Sequence, residues 1–164
     1  MPGKVRAVPE GFHTITPHLN IRNCSKAIEF YQKAFGAEVK GVHRTPDGKV
    51  MHALLKIGDS QLMVSDEFPE MGAKSPESLG GSAVVLNVYV EDVDALFNRA
   101  VGAGAKVVMP LMDQFWGDRY GQLTDPFGHR WALGAHREDV APEELEKRGK
   151  EAFARMAAKK AAGH

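Results

Sequence analysis

The sequence predicts an α+β fold made of two βαβββ modules in tandem, followed by a C-terminal helix. Three observations carry this prediction: an internal repeat, two helical patterns each stopped by a glycine, and strand runs separated by turn signals. The repeat is the most telling. Ala27-Ile28 and Gly36-Ala37-Glu38-Val39 return as Ala95-Leu96 and Gly104-Ala105-Lys106-Val107, with Gly36 and Gly104 68 positions apart. Ile21-Arg22-Asn23 and Val90-Glu91-Asp92 each close a β-rich run and open a helical one, at an offset of 69 from Ile21 to Val90. Gly58 before Leu62-Met63-Val64 echoes Gly128 before Trp131-Ala132-Leu133, 70 positions on. One-residue slips of this kind are loop differences. The reading divides the chain into a domain over 12–137, built from repeats 12–66 and 82–137, and a helical tail over 138–164.

In the first repeat, Thr14 to Ile21 alternates and is rich in β-branched residues, as a half-buried strand requires. Ser25 to Phe35 follows as a helix, because Ala27, Ile28, Tyr31, Ala34 and Phe35 recur at three- and four-residue spacing and Gly36 supplies a left-handed stop. Strands over Glu38 to Arg44, Met51 to Ile57 and Gln61 to Ser65 are joined by Pro46-Asp47-Gly48 and Gly58-Asp59. Asp66 to Ser82, with two prolines, three glycines and three serines, is the connection between repeats and is expected to be a mobile flap. The second repeat has strands over Val84 to Val90, Lys106 to Met112, Arg119 to Thr124 and Arg130 to Leu133, with a helix over Asp92 to Ala103. Asp125-Pro126-Phe127-Gly128 forms the turn before its last strand. Beyond Arg137 a helix starts at Pro142 with Glu143, Glu144 and Glu146 in its first turn. Its Leu145, Gly149, Phe153 and Met156 face one side, toward the domain or a second subunit, and Ala157 to His164 is expected to fray.

Composition narrows the function classes. With 21 basic and 21 acidic residues there is no global field to attract nucleic acid or an anionic membrane. No apolar run approaches the roughly 20 residues of a bilayer span, and Met1 to Gly11 contains no apolar signal-peptide core. Cys24 is the single cysteine, which excludes an intrachain disulfide or a thiolate metal cluster and points to a reducing, cytoplasmic setting. No phosphate loop, nucleophile elbow, HExxH or paired-cysteine motif is present.

Several segments, in this order and spacing, resemble the PhnB-like branch of the vicinal oxygen chelate superfamily, the glyoxalase, bleomycin-resistance and dioxygenase proteins. They are Thr16-Pro17-His18-Leu19, Ala27-Ile28-Glu29-Phe30-Tyr31, Phe35-Gly36-Ala37, Val90-Glu91-Asp92-Val93-Asp94-Ala95-Leu96, Phe115-Trp116-Gly117-Asp118-Arg119-Tyr120-Gly121 and Asp125-Pro126-Phe127-Gly128-His129-Arg130-Trp131. The resemblance implies that the modules curl into a mixed-sheet cup, that a small molecule binds inside it, and that the protein is a homodimer. In metal-dependent members four ligands point into the cup from the first and fourth strands of each module. Those positions fall on Thr16, Met63, Val85 and Ala132, with Thr16 to Val85 and Met63 to Ala132 each 69 apart. Met, Val and Ala offer no hard donor and one threonine hydroxyl cannot hold a divalent cation alone, so neither a catalytic metal nor another cofactor is expected.

Polar residues near these positions are the candidates for chemistry. His18 shares the face of Thr16 and is a candidate general base or ligand hydrogen-bonder, set against the plainer reading of a pocket-wall histidine. His52 is a second candidate base, set against sheet packing; His13, His43, His129 and His136 are read as surface histidines. Arg119 could pair with a substrate carboxylate or phosphate at the cup mouth, or with Asp118 or Asp125. Trp116 and Tyr120 could stack on a planar ligand, whereas Trp131 is expected under the helices. Asp66 and Glu67 are better suited to capping the linker turn than to serving the pocket. The expected ligand-binding set is Thr16, His18, Met63, Val85, Asn87, Trp116, Arg119, Tyr120 and Ala132. The favoured function is metal-independent binding of a small aromatic or hydrophobic molecule. The alternative is a lyase or isomerase acting on a small carbonyl compound, with His18 or His52 as base and Arg119 on an oxyanion. A divalent site made from His18, His52 and Asp66, supporting a metal-dependent lyase or dioxygenase, is a third.

Overall fold

The computed structural model describes Gly3 and residues 5–163. Module one comprises β1 (His18–Ile21), α1 (Cys24–Phe35), β2 (Glu38–Arg44), β3 (Val50–Ile57) and β4 (Ser60–Asp66). Its linker holds a 3-10 turn, Pro69–Met71, and a single helical turn, α2 (Pro76–Leu79). Module two follows with β5 (Val85–Tyr89), α3 (Val93–Ala103), β6 (Lys106–Asp113), β7 (Asp118–Thr124) and β8 (Arg130–His136). The C-terminal helix α4 is Pro142–Ala162. Each module folds into its own four-stranded mixed sheet, ordered β1-β4-β3-β2 and β5-β8-β7-β6, with the first and last strands of each module parallel. This is the α+β pair of βαβββ modules expected from the repeat, and neither sheet closes on itself.

Most elements begin and end within a residue or two of the periodic pattern. Two strands depart further: β8, expected to end at Leu133, runs to His136, and the first strand, expected from Thr14, is observed only from His18. Pro17 has no N–H to give, so it contributes to the ladder only by accepting from Met63 N–H at 2.9 Å. The linker is not an unstructured flap. Glu67 accepts from the Ser75 N–H and the Ser78 hydroxyl and pairs with Arg22 at 3.0 Å, while Phe68 and Ala73 exchange backbone bonds. Over the segment expected to fray from Ala157, α4 is helical to Ala162, and His164 lies outside the described residues.

Alternation on each sheet assigns its faces. Leu19, Ile21, Leu62, Val64, Ala53 and Leu55 are buried on one side of sheet one, and Leu123, Trp131, Leu133 and Ala135 on one side of sheet two. These faces carry α1 and α3, and the residues of both modules form a single core cluster. At Gly121 in β7 a side chain would not fit, because a Cβ there would lie 2.7 Å from Phe97 and 3.0 Å from the Leu111 backbone. The modules are joined across this core. Tyr31 donates to Asp125 at 2.7 Å, Phe35 packs on Trp131 with ring centroids 4.5 Å apart, and a His129 ring nitrogen meets the Asn20 carbonyl at 3.1 Å. Arg99 donates to the carbonyls of Gln32 and Lys33 at the end of α1. Among the described residues the helices packed on the sheets are α1 and α3, and the other, open faces bear the residues of interest.

Candidate functional site

On module one, parity turns His18 and Asn20 of β1, Met63 and Ser65 of β4, and His52 and Leu54 of β3 to the open face. His18 stands opposite Met63 in the parallel pair, and its ring meets His52 edge to face across β4 at 5.8 Å. A short relay holds it: His18 Nε2 contacts Ser65 Oγ at 3.1 Å, and the Ser65 hydroxyl donates to Asn20 Oδ1 at 3.2 Å. With its one proton so used, Ser65 accepts from His18 Nε2–H, which leaves Nδ1 as the free acceptor. Partial desolvation of the ring, and then the neighbouring His52, hold the His18 pKa below its ordinary value, so the neutral form is favoured.

On module two the open face has a different character. Small residues Ala132 and Gly134 lie along the central strand β8, opposite Asn87 and Tyr89 on one side and Gln122 and Tyr120 on the other. Ala132 and Gly134 are both buried beneath an aromatic trough: exposed Tyr89 lies 3.4 Å from where a Gly134 Cβ would be, and half-buried Trp116 packs edge to face on Tyr120 at 5.3 Å. Buried Asp118 anchors one end, accepting from the Tyr89 hydroxyl at 2.7 Å and meeting His136 Nδ1 at 2.8 Å. Asp139 meets the other His136 nitrogen at 2.8 Å, and the two carboxylates raise the His136 pKa, Asp139 contributing most. At the other end Arg130 donates to Gln122 Oε1 and Gln122 donates to the Tyr120 hydroxyl, both at 2.9 Å.

The expected site residues are therefore dispersed. Thr16, half-buried ahead of β1, and Asn87 line a cavity of about 650 Å³ at the seam between modules, floored by Phe35, Leu62 and Trp131. Met63 and Ala132 lie on the open faces of different sheets, and Val85 opens β5 opposite Arg130. Thr16, Met63, Val85 and Ala132 offer one hydroxyl and three groups without a hard donor, which do not fit a divalent cation.

Arg119, expected at the cup mouth, points the other way. It faces Ala135 on the helix-covered side and is held by both carboxylate oxygens of Asp94, at 2.8 and 2.9 Å, and by Asp113 at 3.2 Å. Those carboxylates raise its pKa further, and it does not converge with His18 or His52. Asp66 does not join the histidines either, since it lies on the opposite face of β4 and accepts from the Cys24 and Val50 N–H groups at 2.8 and 2.7 Å. Among the described residues, no group of three or more His, Cys, Asp or Glu side chains is placed to hold a metal ion. His129 is not a surface histidine but is buried at the module junction, whereas His136 is exposed as expected and joins the Asp118 network.

Four residues on the open faces went unread in the sequence: Asn20, Ser65, Gln122 and Arg130. Alternation could have found all four, because Asn20, Ser65, Gln122 and Arg130 lie two residues from His18, Met63, Tyr120 and Ala132 on the same strands.

Comparison with known proteins places this architecture. The sequence profile of the Glyoxalase/Bleomycin resistance protein/Dioxygenase superfamily matches residues 11–133, ending before α4. Protein Mb0911c of Mycobacterium bovis is 48% identical over 135 residues, covering 80% of this chain and 89% of that protein. Among solved structures, PA1353 from Pseudomonas aeruginosa superposes with a TM-score of 0.64 at 28% identity, over 77% of this chain and 99% of that one. The PhnB protein from Bacillus cereus superposes with a TM-score of 0.58 at 23% identity, over 75% of this chain and 99% of that one, a likeness of fold alone. The chain belongs to the glyoxalase/bleomycin-resistance/dioxygenase superfamily.

Proposed function

We propose that this protein binds a small aromatic or hydrophobic molecule without a metal, using the open face of module two. The observation that carries the reading is the accessible aromatic set of Tyr89, Tyr120 and Trp116 above the buried Ala132 and Gly134. Exposed Tyr89 and half-buried Tyr120 and Trp116 supply planar contact area at little entropic cost. The poor donor set at Thr16, Met63, Val85 and Ala132 favours metal independence. Thermal-shift screening of aromatic fragments tests it: stabilising ligands are expected, with shifts unchanged by EDTA. Stabilisation that appears only with an added divalent cation, or by no fragment at all, would sink the reading.

A second reading, proton abstraction from a small carbonyl compound, is favoured by one observation, the neutral His18 with a free Nδ1. His18→Gln and His52→Gln test it; loss of turnover by about 100-fold for the former only is expected, and equal activity would remove His18 from the chemistry. A homodimer is supported by Val107, Val108, Met109 and Met112, exposed apolar residues on the edge strand β6. Sedimentation velocity decides between monomer and dimer. The lone buried Cys24 favours a reducing, cytoplasmic setting.

A further inference from the structure

We infer that the ligand of the module-two trough carries an oxyanion, a carboxylate or a phosphate, and that Arg130 receives it where the inter-module linker meets the open face. The inference rests on the binding reading above and adds the chemical class of the ligand.

Arg130 opens β8, opposite Val85 on β5 and Thr124 on β7, so its side chain leaves on the same face as Ala132. The side chain is half-buried, and its only side-chain hydrogen bond among the described residues is to the neutral Oε1 of Gln122. Gln122 is itself held by the Tyr120 hydroxyl, so the guanidinium is oriented by a chain of fixed groups. The strongly paired arginines differ. Arg22, Arg119 and Arg148 each meet two carboxylates at 3.2 Å or less, whereas no described carboxylate forms an ion pair with Arg130. A guanidinium has five donors in a planar fork, and one accepted bond leaves a bidentate edge unused.

The space beside it suits an anion. A cavity of about 420 Å³ is lined by Arg130, Thr124, Ser82, Gly80, Gly81 and Glu77. Glu77 brings the one carboxylate, and Arg22 Nη1 already pairs with it at 3.0 Å, which offsets its repulsion of an incoming anion. Thr124 brings a hydroxyl-bearing side chain to the same wall, while the Ser82 hydroxyl is engaged by Val84, donating to its carbonyl and accepting from its N–H. The wall is fixed by close packing: a Cβ at Gly128 would lie 2.8 Å from Pro76 Cβ, so α2 sits directly on the turn that launches Arg130. A ligand with a planar body against Tyr120 and an anionic head at Arg130 follows the hydrogen-bonded chain Tyr120–Gln122–Arg130, the layout of a substituted aromatic acid.

NMR titration of the full chain with naphthoate, naphthamide and phenyl phosphate tests this, in the wild type and in Arg130→Gln and Arg130→Lys. Naphthoate or phenyl phosphate should shift the amides of Thr124, Ser82 and Arg130, and bind about tenfold or more tightly than naphthamide. Arg130→Gln should erase that preference while leaving naphthamide binding and the dispersion of distant amides unchanged; Arg130→Lys should keep part of it. Preference for naphthoate over phenyl phosphate, or the reverse, names the oxyanion. If naphthamide and naphthoate bind equally over Ala132 and Gly134, the trough binds ligands and the oxyanion inference falls. If no compound perturbs the open face, both readings fall together.

Discussion

Module one and module two share a backbone and little of its chemistry. Their sheets have the same strand order and the same parallel outer pair, and His18 opposite Met63 corresponds to Asn87 opposite Ala132 at an offset of 69. Yet the open face of module one carries a histidine pair on a Ser65–Asn20 relay, while that of module two carries small floor residues, aromatic walls and Arg130. The divergence reaches the core. Glu29, exposed on α1, becomes Phe97, buried on α3, and Ala53 becomes Gly121 to make room for it. Even the residues that reach across the junction differ: Tyr31 and Arg99 occupy matching helix positions, 68 apart, but one donates to a buried carboxylate and the other caps a helix end. Strand and helix periodicities are preserved because the backbone depends on them. The residues that decide ligands and docking are free to separate.

The largest break in this comparison should come at Asp125, which belongs to module two but serves both modules. It accepts from Tyr31 at 2.7 Å, from Trp131 Nε1 at 2.9 Å, and from the Phe127 and His129 N–H groups of its own turn. Burial, and then Asp125, push the Tyr31 hydroxyl well above its ordinary pKa, so it stays a donor. Asp125→Ala leaves two buried side-chain donors without partners, at about 1–3 kcal/mol each, for a loss of about 3 kcal/mol or more. Tyr31→Phe should lose about 1–2 kcal/mol. Urea unfolding followed by circular dichroism measures both. A single transition for Asp125→Ala would mean the modules unfold together without the clamp; two would mean the clamp makes them one unit. A loss under about 1 kcal/mol would show that water replaces the carboxylate.

A reciprocal exchange at the Ala53/Gly121 pair sharpens the core comparison. Gly121→Ala forces a methyl against Phe97 and the Leu111 backbone and should cost about 1–3 kcal/mol. Ala53→Gly, in a strand position where Ala53 is fully buried, should cost about 1 kcal/mol through backbone entropy and one lost methyl. Equal effects would mean the two cores tolerate change alike. Restoring space with Phe97→Leu in the Gly121→Ala background should recover part of the loss.

The two modules also differ in how much of them was legible. Periodicity and turn chemistry placed nearly every strand and helix within a residue or two, because those signals are local. Thr14 to Pro17 alternates like a strand but lacks the N–H at Pro17 that a ladder needs. Arg119 was read as facing the ligand from its place after Trp116-Gly117-Asp118, although only ladder parity decides the face of a strand residue. The same parity, counted from Ala132, points to Arg130. The Tyr31–Asp125 clamp joins residues 94 apart, and no spacing within either module reveals how two modules dock. Buried polar partners of that kind become visible only when both ends are in place.

Acid should loosen module one's linker before its sheet. Glu67 is lowered to about 2, chiefly by the Ser75 N–H, then by the Ser78 hydroxyl and Arg22. A depressed carboxylate contributes stability that is complete above its unfolded value, near 4.5, and lost as pH falls from there toward 2. Amide exchange at Ser75 and Ser78 should therefore accelerate, relative to the strands, across that window. Glu67→Gln keeps an acceptor but not the charge, and should flatten the pH dependence. Exchange that rises equally in β3 and β4 would mean global acid unfolding instead.

The finest distinction lies between the histidines of the two open faces, His18 on module one and His136 on module two. His18 is lowered by partial desolvation and then by His52, whereas His136 is raised by Asp139 and then by Asp118. Their proton resonances, followed by NMR, should titrate on opposite sides of the ordinary value of 6.5. The signs for stability are opposite too. His136 contributes most below 6.5, and that contribution fades as pH rises through its raised folded value. His18 is resisted as a cation by the fold, so acidification through 6.5 and below weakens module one. Asp139→Asn should bring His136 back toward 6.5, because the carboxylate that contributes most to holding its proton is gone. His52→Ala should raise His18 by less, since desolvation outweighs the neighbouring ring. If His52→Ala instead restores His18 fully, repulsion between the two imidazoles governs the module-one face, and His52 sets the proton affinity of any base chemistry there.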